Sequence, residues 1–169
     1  MIIGITGKSG SGKSTYAEKL AKNADYFVLH IDEIGHKVLE YDDIKSKLIE
    51  IFREDSVLND NVNRKYIGDL IFTHRHLYNK LTELVWENMK QEIDKAIESH
   101  NDIILDWLLL PHTHYWKLCD KKILITLDNE NERIARLMKR DNISIDYLSK
   151  RDNVGIDYSN IEFDEIIKN

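Results

Sequence analysis

The segment Gly7-Lys8-Ser9-Gly10-Ser11-Gly12-Lys13-Ser14 constrains the fold of this chain more than any other part. It satisfies G-x-x-x-x-G-K-[ST] at every fixed position. Before it lies Ile2-Ile3-Gly4-Ile5-Thr6, a short apolar run that reads as a buried strand. After it, Ala17, Leu20 and Ala21 recur on one face, so a helix is expected over 13–22. Strand, glycine loop and helix in that order make an anion cradle. The glycines let the backbone curl and turn successive N–H groups inward, and the helix adds its positive end. Lys13 is expected to reach the β- and γ-phosphates of a nucleoside triphosphate, and Ser14 to offer its hydroxyl to Mg²⁺. The expected ligands are ATP and Mg²⁺, held on the stretch from Gly7 through Thr15.

The rest of the chain alternates. Further strands are expected at 26–30, 103–107, 123–127 and 163–167, and helices at 32–39, 44–52, 64–72, 77–99, 130–140 and 143–150. Residues 55–63 are polar and read as a loop. The 77–99 helix carries Leu77, Leu81, Leu84, Val85, Met89, Ile93 and Ile97 at spacings of three or four, with one adjacent pair. This alternation predicts an α/β fold, a P-loop NTPase three-layer sandwich. Its parallel sheet has about five strands, with helices on both faces and a helical lid. One domain is expected over 1–169, with an acceptor-binding helical region at about 40–100 and the lid at about 133–155. Such sheets bind ligands at the carboxyl ends of their strands. The 7–14 loop, Asp32 and Asp106 all fall at or just past strand ends, which points to one shared site.

Each further candidate has a plain reading beside its chemical one. Asp32, in His30-Ile31-Asp32-Glu33, could orient or deprotonate an acceptor hydroxyl, or serve only the start of the next helix. Asp106 ends an apolar strand as a Walker-B acid does and could hold Mg²⁺, or be an ordinary polar strand end. Arg133, Arg136 and Arg140 recur at helical spacing, with Arg151 further on. They could clamp phosphates under a mobile lid, or form solvated pairs such as Glu132–Arg136. The expected catalytic set is Lys13, Asp32 and Arg140, with Arg136 as a further phosphate contact and Ser14 and Asp106 as metal ligands. His74/His76 and His112/His114 lack the cysteines or carboxylates that would complete a tetrahedral metal site. Cys119 reads as a small buried residue.

A formal net charge of −6 argues against a chain built to coat nucleic acid. One cysteine excludes an internal disulfide, and no apolar stretch approaches membrane-spanning length. Met1 runs directly into the first strand, so no leader is expected. A cytoplasmic location is expected, with no membrane or nucleic-acid partner.

These residues together resemble dephospho-CoA kinase over nearly the whole length. Residues 4–15 look like that family's opening strand and P-loop. Residues 28–38 are similar to its Asp-Ala-Asp segment, with Asp32 at the second, catalytic Asp and His30 at the first. Residues 64–72 look like its Arg…Leu-Gly…Val-Phe stretch, and Cys119-Asp120 like the Cys-Asp before its fourth strand. Residues 133–141 are similar to its lid-forming arginine helix, Arg151 matches a further lid arginine, and Phe163-Asp164 through Asn169 resembles its Ala-Asp…Asn ending. The chain departs from the pattern at Trp86-Glu87, at Leu108-Leu109-Leu110-Pro111-His112 and at Gly155, where the family has a glutamine. The resemblance implies ATP-dependent phosphoryl transfer to the ribose 3′-hydroxyl of dephospho-CoA. The departures favour one alternative, a kinase of the same fold acting on a nucleoside or nucleotide. A non-catalytic ATP-binding regulator is the other.

Overall fold

The computed structural model describes residues 1–153 and 156–169; Gly155 and the end of the expected lid lie outside them. In chain order the elements are β1 (Ile2–Thr6), α1 (Lys13–Ala24), β2 (Phe27–His30), α2 (Ile31–Leu39) and α3 (Asp42–Phe52). Next come β3 (Val57–Leu58), β4 (Asn61–Val62), α4 (Arg64–Ile71), α5 (Arg75–Ser99) and β5 (Ile103–Asp106). The last are α6 (Tyr115–Leu118), β6 (Lys121–Thr126), α7 (Glu130–Asp141), α8 (Ile145–Asn153) and β7 (Glu165–Lys168). These form two compact units, Met1–Ile31 with Ala96–Asn169, and Asp32–Lys95.

The first unit carries a five-stranded sheet of order β2-β5-β1-β6-β7 in which every pairing is parallel. All four residues of β5 are buried, as expected of a strand covered on both faces. One face is closed by α1, whose Ala17 and Ala21 join Ile3, Ile5, Ile104, Ile123 and Ile125 in one apolar cluster. Gly4 marks the other face. A Cβ there would come 2.7 Å from Cys119 Sγ and 2.9 Å from the Trp116 ring, so the α6 segment lies directly on β1. Ile5, Ile103, Ile104 and Leu105 are fully excluded from solvent, at about 1.5–3 kcal/mol each relative to exposure. Burial, more than strand length, holds this short-stranded sheet together.

In the second unit, Val38, Ile44, Leu48, Phe52, Ile67, Ile71, Val85, Met89 and Ile93 are buried. Lys37 of α2 donates to Glu92 Oε2 of α5 at 2.9 Å, and the hydroxyl of Tyr41, just before α3, donates to Glu92 Oε1 at 3.1 Å. Of the stripe expected on α5, Val85, Met89 and Ile93 are buried; Leu77, Leu81, Leu84 and Ile97 are half-buried. Two segments differ from expectation. Residues 55–63 are not a plain loop but contain the antiparallel β3–β4 hairpin, turned at Asn59 and Asp60 with φ of 49° and 63°. The stretch after β5 contains a 3₁₀ turn at Leu110–His112 and the helix α6. Among the described residues no helix is long and apolar enough to cross a membrane.

Candidate active site

The phosphate loop joins β1 to α1 with three glycines at positive φ: Gly7 at 156°, Gly10 at 82° and Gly12 at 91°. A Cβ would also crowd its surroundings, against backbone at Gly7 and against side chains at Gly10 and Gly12. A Cβ would lie 2.3 Å from the Ile125 carbonyl oxygen at Gly7, 2.9 Å from Leu137 Cγ at Gly10 and 2.0 Å from Asn169 Nδ2 at Gly12. Gly12 occupies the N-cap of α1 and offers no side-chain cap. The first-turn N–H groups are therefore left for an anion. Lys13 opens the helix and is buried, whereas Ser14 and Thr15 are exposed. The loop is braced by its surroundings. Arg133 Nη1 donates to the Ser9 carbonyl, and Asn169 Nδ2 to the Ser11 carbonyl, each at 3.0 Å. Beside the loop lies a cavity of about 220 Å³ lined in part by Lys8, Ser11, Thr126, Glu130 and Tyr158. A larger cavity of about 450 Å³ opens at Tyr26, Phe27 and Asp102. It lies at the amino ends of β2 and β5, away from the strand ends where ligands bind.

Asp106 closes β5 and is 3% exposed. In register it stands beside Ile5 of β1 on one side and His30 of β2 on the other. Its Oδ2 lies 2.8 Å from His30 Nδ1, and His30 Nε2 lies 2.9 Å from Glu18 Oε1 on α1. Its Oδ1 is buried and has no hydrogen-bond partner among the described residues. A buried acceptor left unpaired costs about 1–3 kcal/mol. An orphaned carboxylate oxygen suits a hard cation, which prefers oxygen ligands.

Asp32 belongs to the second unit. It is exposed, and with Glu33 it occupies the first turn of α2, which starts at Ile31 directly after β2, one residue earlier than expected. A carboxylate there is favoured by the helix dipole. His36, one turn along α2, has its pKa lowered first by partial desolvation, although the residue is exposed, and second by the Arg64 charge; Asp32 and Glu33 oppose the shift.

The three arginines expected to act together occupy different environments. Arg133 is 2% exposed. Its Nε donates to Glu130 Oε2 at 2.9 Å, and its Nη2 pairs with Glu130 and Asp152. These hydrogen bonds push its pKa still higher, Glu130 contributing most, and pull that of Glu130 down. Arg136 is exposed and paired with Glu132, as the i,i+4 spacing suggests. Arg140 is also exposed and binds Asp141 through Nε at 2.6 Å and Nη2 at 3.0 Å. Arg151 Nη1 donates to Asp141 Oδ2 at 3.0 Å, while its Nε and Nη2 are buried without partners among the described residues. The hydrogen bond from Arg140 is the main cause that lowers the Asp141 pKa, with Arg151 second among the stabilising groups.

Sequence reasoning missed His30, Glu18 and Asn169 as neighbours of the loop and of Asp106. No motif marks Glu18; His30 ends a strand and stands at the first position of the segment that resembles Asp-Ala-Asp, but neither signal names Asp106 as its partner. Cys119 is buried, and burial pushes its thiol up to about 12, so it stays a neutral packing residue.

The dephospho-CoA kinase family model matches residues 1–160. The dephospho-CoA kinase of Staphylococcus epidermidis is 32% identical over 153 residues, spanning 84% of this chain and 72% of its own length. The crystal structure of TT1252 from Thermus thermophilus aligns with a TM-score of 0.81 at 23% identity, covering 100% of this chain and 88% of that one. Dephospho-CoA kinase from Campylobacter jejuni aligns with a TM-score of 0.58 at 22% identity, covering 99% and 87%. At these identities the structural likeness speaks for the fold alone, the P-loop sandwich with a parallel sheet.

Proposed function

The chain belongs to the dephospho-CoA kinase family, and from that premise we propose that it transfers the γ-phosphoryl group of ATP to the ribose 3′-hydroxyl of dephospho-CoA. As a member of that family it is an ATP-dependent kinase with a small-molecule hydroxyl acceptor. The observation that carries the donor half is the uncapped N-terminus of α1 behind three positive-φ glycines, with Lys13 as its first residue. Backbone N–H groups there hold phosphate, and Lys13 neutralises charge on the β- and γ-phosphates.

Ser14 and Asp106 are the residues that would hold Mg²⁺, a role supported by the orphaned Asp106 Oδ1. When bound, Mg²⁺ neutralises charge on the transferring phosphates. Asp32 orients the acceptor hydroxyl and takes its proton. The region of about 40–100 supplies the acceptor surface. Arg140 stabilises charge on the transferred group, and Arg136 adds a phosphate contact, once lid closure excludes water. Both arginines exchange carboxylate partners for phosphate in doing so.

The test is an assay of the purified chain with ATP, Mg²⁺ and dephospho-CoA, following CoA and ADP together. Stoichiometric formation of both is expected. Folded protein that makes no CoA, yet phosphorylates a nucleoside or is stabilised thermally by one, would move the acceptor to that class.

A further inference from the structure

We propose that His30 is a positioning residue for Asp106: held from behind by Glu18, it fixes one carboxylate oxygen and thereby keeps the other presented to Mg²⁺. This rests on the reading of Ser14 and Asp106 as the Mg²⁺ side chains.

Three adjacent strands build the arrangement. β5 lies between β2 and β1, so Asp106 has His30 on one flank and Ile5, the residue before Thr6 and the phosphate loop, on the other. Side chains in register on parallel strands share a face. For Ile5 that face is the one covered by α1. Ser14 and Glu18 are four residues apart on α1, hence on one side of the helix and one turn apart. The chain Glu18–His30–Asp106 therefore starts one turn below the hydroxyl expected to meet the metal and ends on the carboxylate expected to meet it.

The contacts define what each atom does. A carboxylate turns freely about its last torsion, which is broad, and a hydrogen bond to one oxygen removes that freedom. Oδ2 is engaged by His30 Nδ1 at 2.8 Å and Oδ1 is left unpaired. A ring that meets carboxylate oxygens at both nitrogens has the geometry of a double donor. It also offsets the burial of the Asp106 charge. Outer partners of metal ligands set ligand orientation, and losing one typically costs 10–100-fold in metal affinity or activity.

Mn²⁺ serves as the probe, with a non-hydrolysable imido analogue of ATP, in the full chain. Electron paramagnetic resonance counts free Mn²⁺, and calorimetry gives analogue affinity with and without metal. His30→Ala should reduce Mn²⁺ affinity in the analogue complex about tenfold, leaving metal-free analogue affinity unchanged. His30→Asn, whose amide nitrogen can replace Nδ1, should recover most of the loss. In the wild-type chain the ring ¹⁵N resonances of His30 should shift when Mg²⁺ is added to the analogue complex, a readout that needs no variant. Unchanged Mn²⁺ affinity in His30→Ala, equal losses in the alanine and asparagine variants, or an unmoved ring resonance each overturns the positioning role. Asp106→Asn separates the two layers. If it loses Mn²⁺ affinity while His30→Ala does not, only the His30 inference fails. If Asp106→Asn also keeps full affinity, the metal reading beneath it fails.

Discussion

The connection after β1 and the connection after β2 leave strands of the same parallel sheet and both enter helices, but they are built from different materials. After β1 the chain spends six residues, 7–12, and three positive-φ glycines before α1 begins. After β2 there is no loop at all, because His30 ends the strand and Ile31 starts α2. The first connection offers backbone N–H groups and a helix end, so its chemistry depends on chain path. The second also meets a helix start, but its first turn carries the acids Asp32 and Glu33 and no glycine loop precedes it, so its chemistry depends on side-chain identity, at His30 and then Asp32. A site made from backbone tolerates almost no change at its fixed positions. A site made from side chains can be retuned one residue at a time.

The sharpest test of this contrast is kinetic. Asp32→Asn should lower kcat about 10²–10⁴-fold, the usual yield of a positioned acid or base, with Mg·ATP affinity unchanged. Lys13→Met should weaken ATP binding and turnover together, the pattern of a proposed charge that acts on the phosphates in both ground and transition states. Steady-state kinetics with calorimetric ATP titration separates the two patterns. Wild-type turnover in Asp32→Asn would end the assignment of Asp32 and leave the second connection without its catalytic role.

Two glycines carry the contrast into stability. Gly12 sits at φ 91° with Asn169 Nδ2 2.0 Å from an ideal Cβ. Gly12→Ala should cost about 1–3 kcal/mol in backbone strain and abolish the thermal stabilisation that ATP provides. Gly35 lies within α2, and its Cβ would meet Met89 Cε at 3.5 Å and Sδ at 3.6 Å, an ordinary contact. Gly35→Ala should be neutral or stabilise by up to about 1 kcal/mol. Thermal unfolding with and without ATP reads both. An equally damaging Gly35→Ala would mean that the second connection also depends on backbone geometry.

The same division explains what the sequence discloses. The phosphate loop is legible because steric rules for glycine act locally. The strands are legible because β1 and β5 are apolar on both faces, and β6 is buried through Ile123, Leu124 and Ile125. The β3–β4 hairpin escapes a hydrophobicity reading because each strand has two residues; its signal was Asn59-Asp60, residue types that accept positive φ in a two-residue turn. The contact between His30 and Asp106 joins residues 76 apart, and only strand order brings them together. The order β2-β5-β1 is set by tertiary packing, which no local pattern encodes.

Arg133 and Arg136 provide the finest comparison, since the sequence presents them alike. Leu137, buried four residues after Arg133, is the cue that Arg133 faces inward. Its guanidinium joins Glu130, Asp152 and the Ser9 carbonyl, so it braces the phosphate loop. Arg133→Met should cost about 1.5–3 kcal/mol, the range for hydrogen bonds to a charged group, because its acidic partners remain partly solvated and can rehydrate. Arg136→Met should change stability by no more than about 0.5 kcal/mol, as its pair with Glu132 is exposed. A pH series identifies the cause. Glu130 has a lowered folded-state pKa, chiefly through its hydrogen bond from Arg133. Its contribution is therefore complete above the unfolded carboxylate value and is lost as pH falls through the lower folded one. Arg133→Met should remove that acid-side slope, while Arg136→Met should retain it. Loss of the slope in Arg136→Met, or its survival in Arg133→Met, would show that the two arginines do not divide the work between brace and solvent-facing cation.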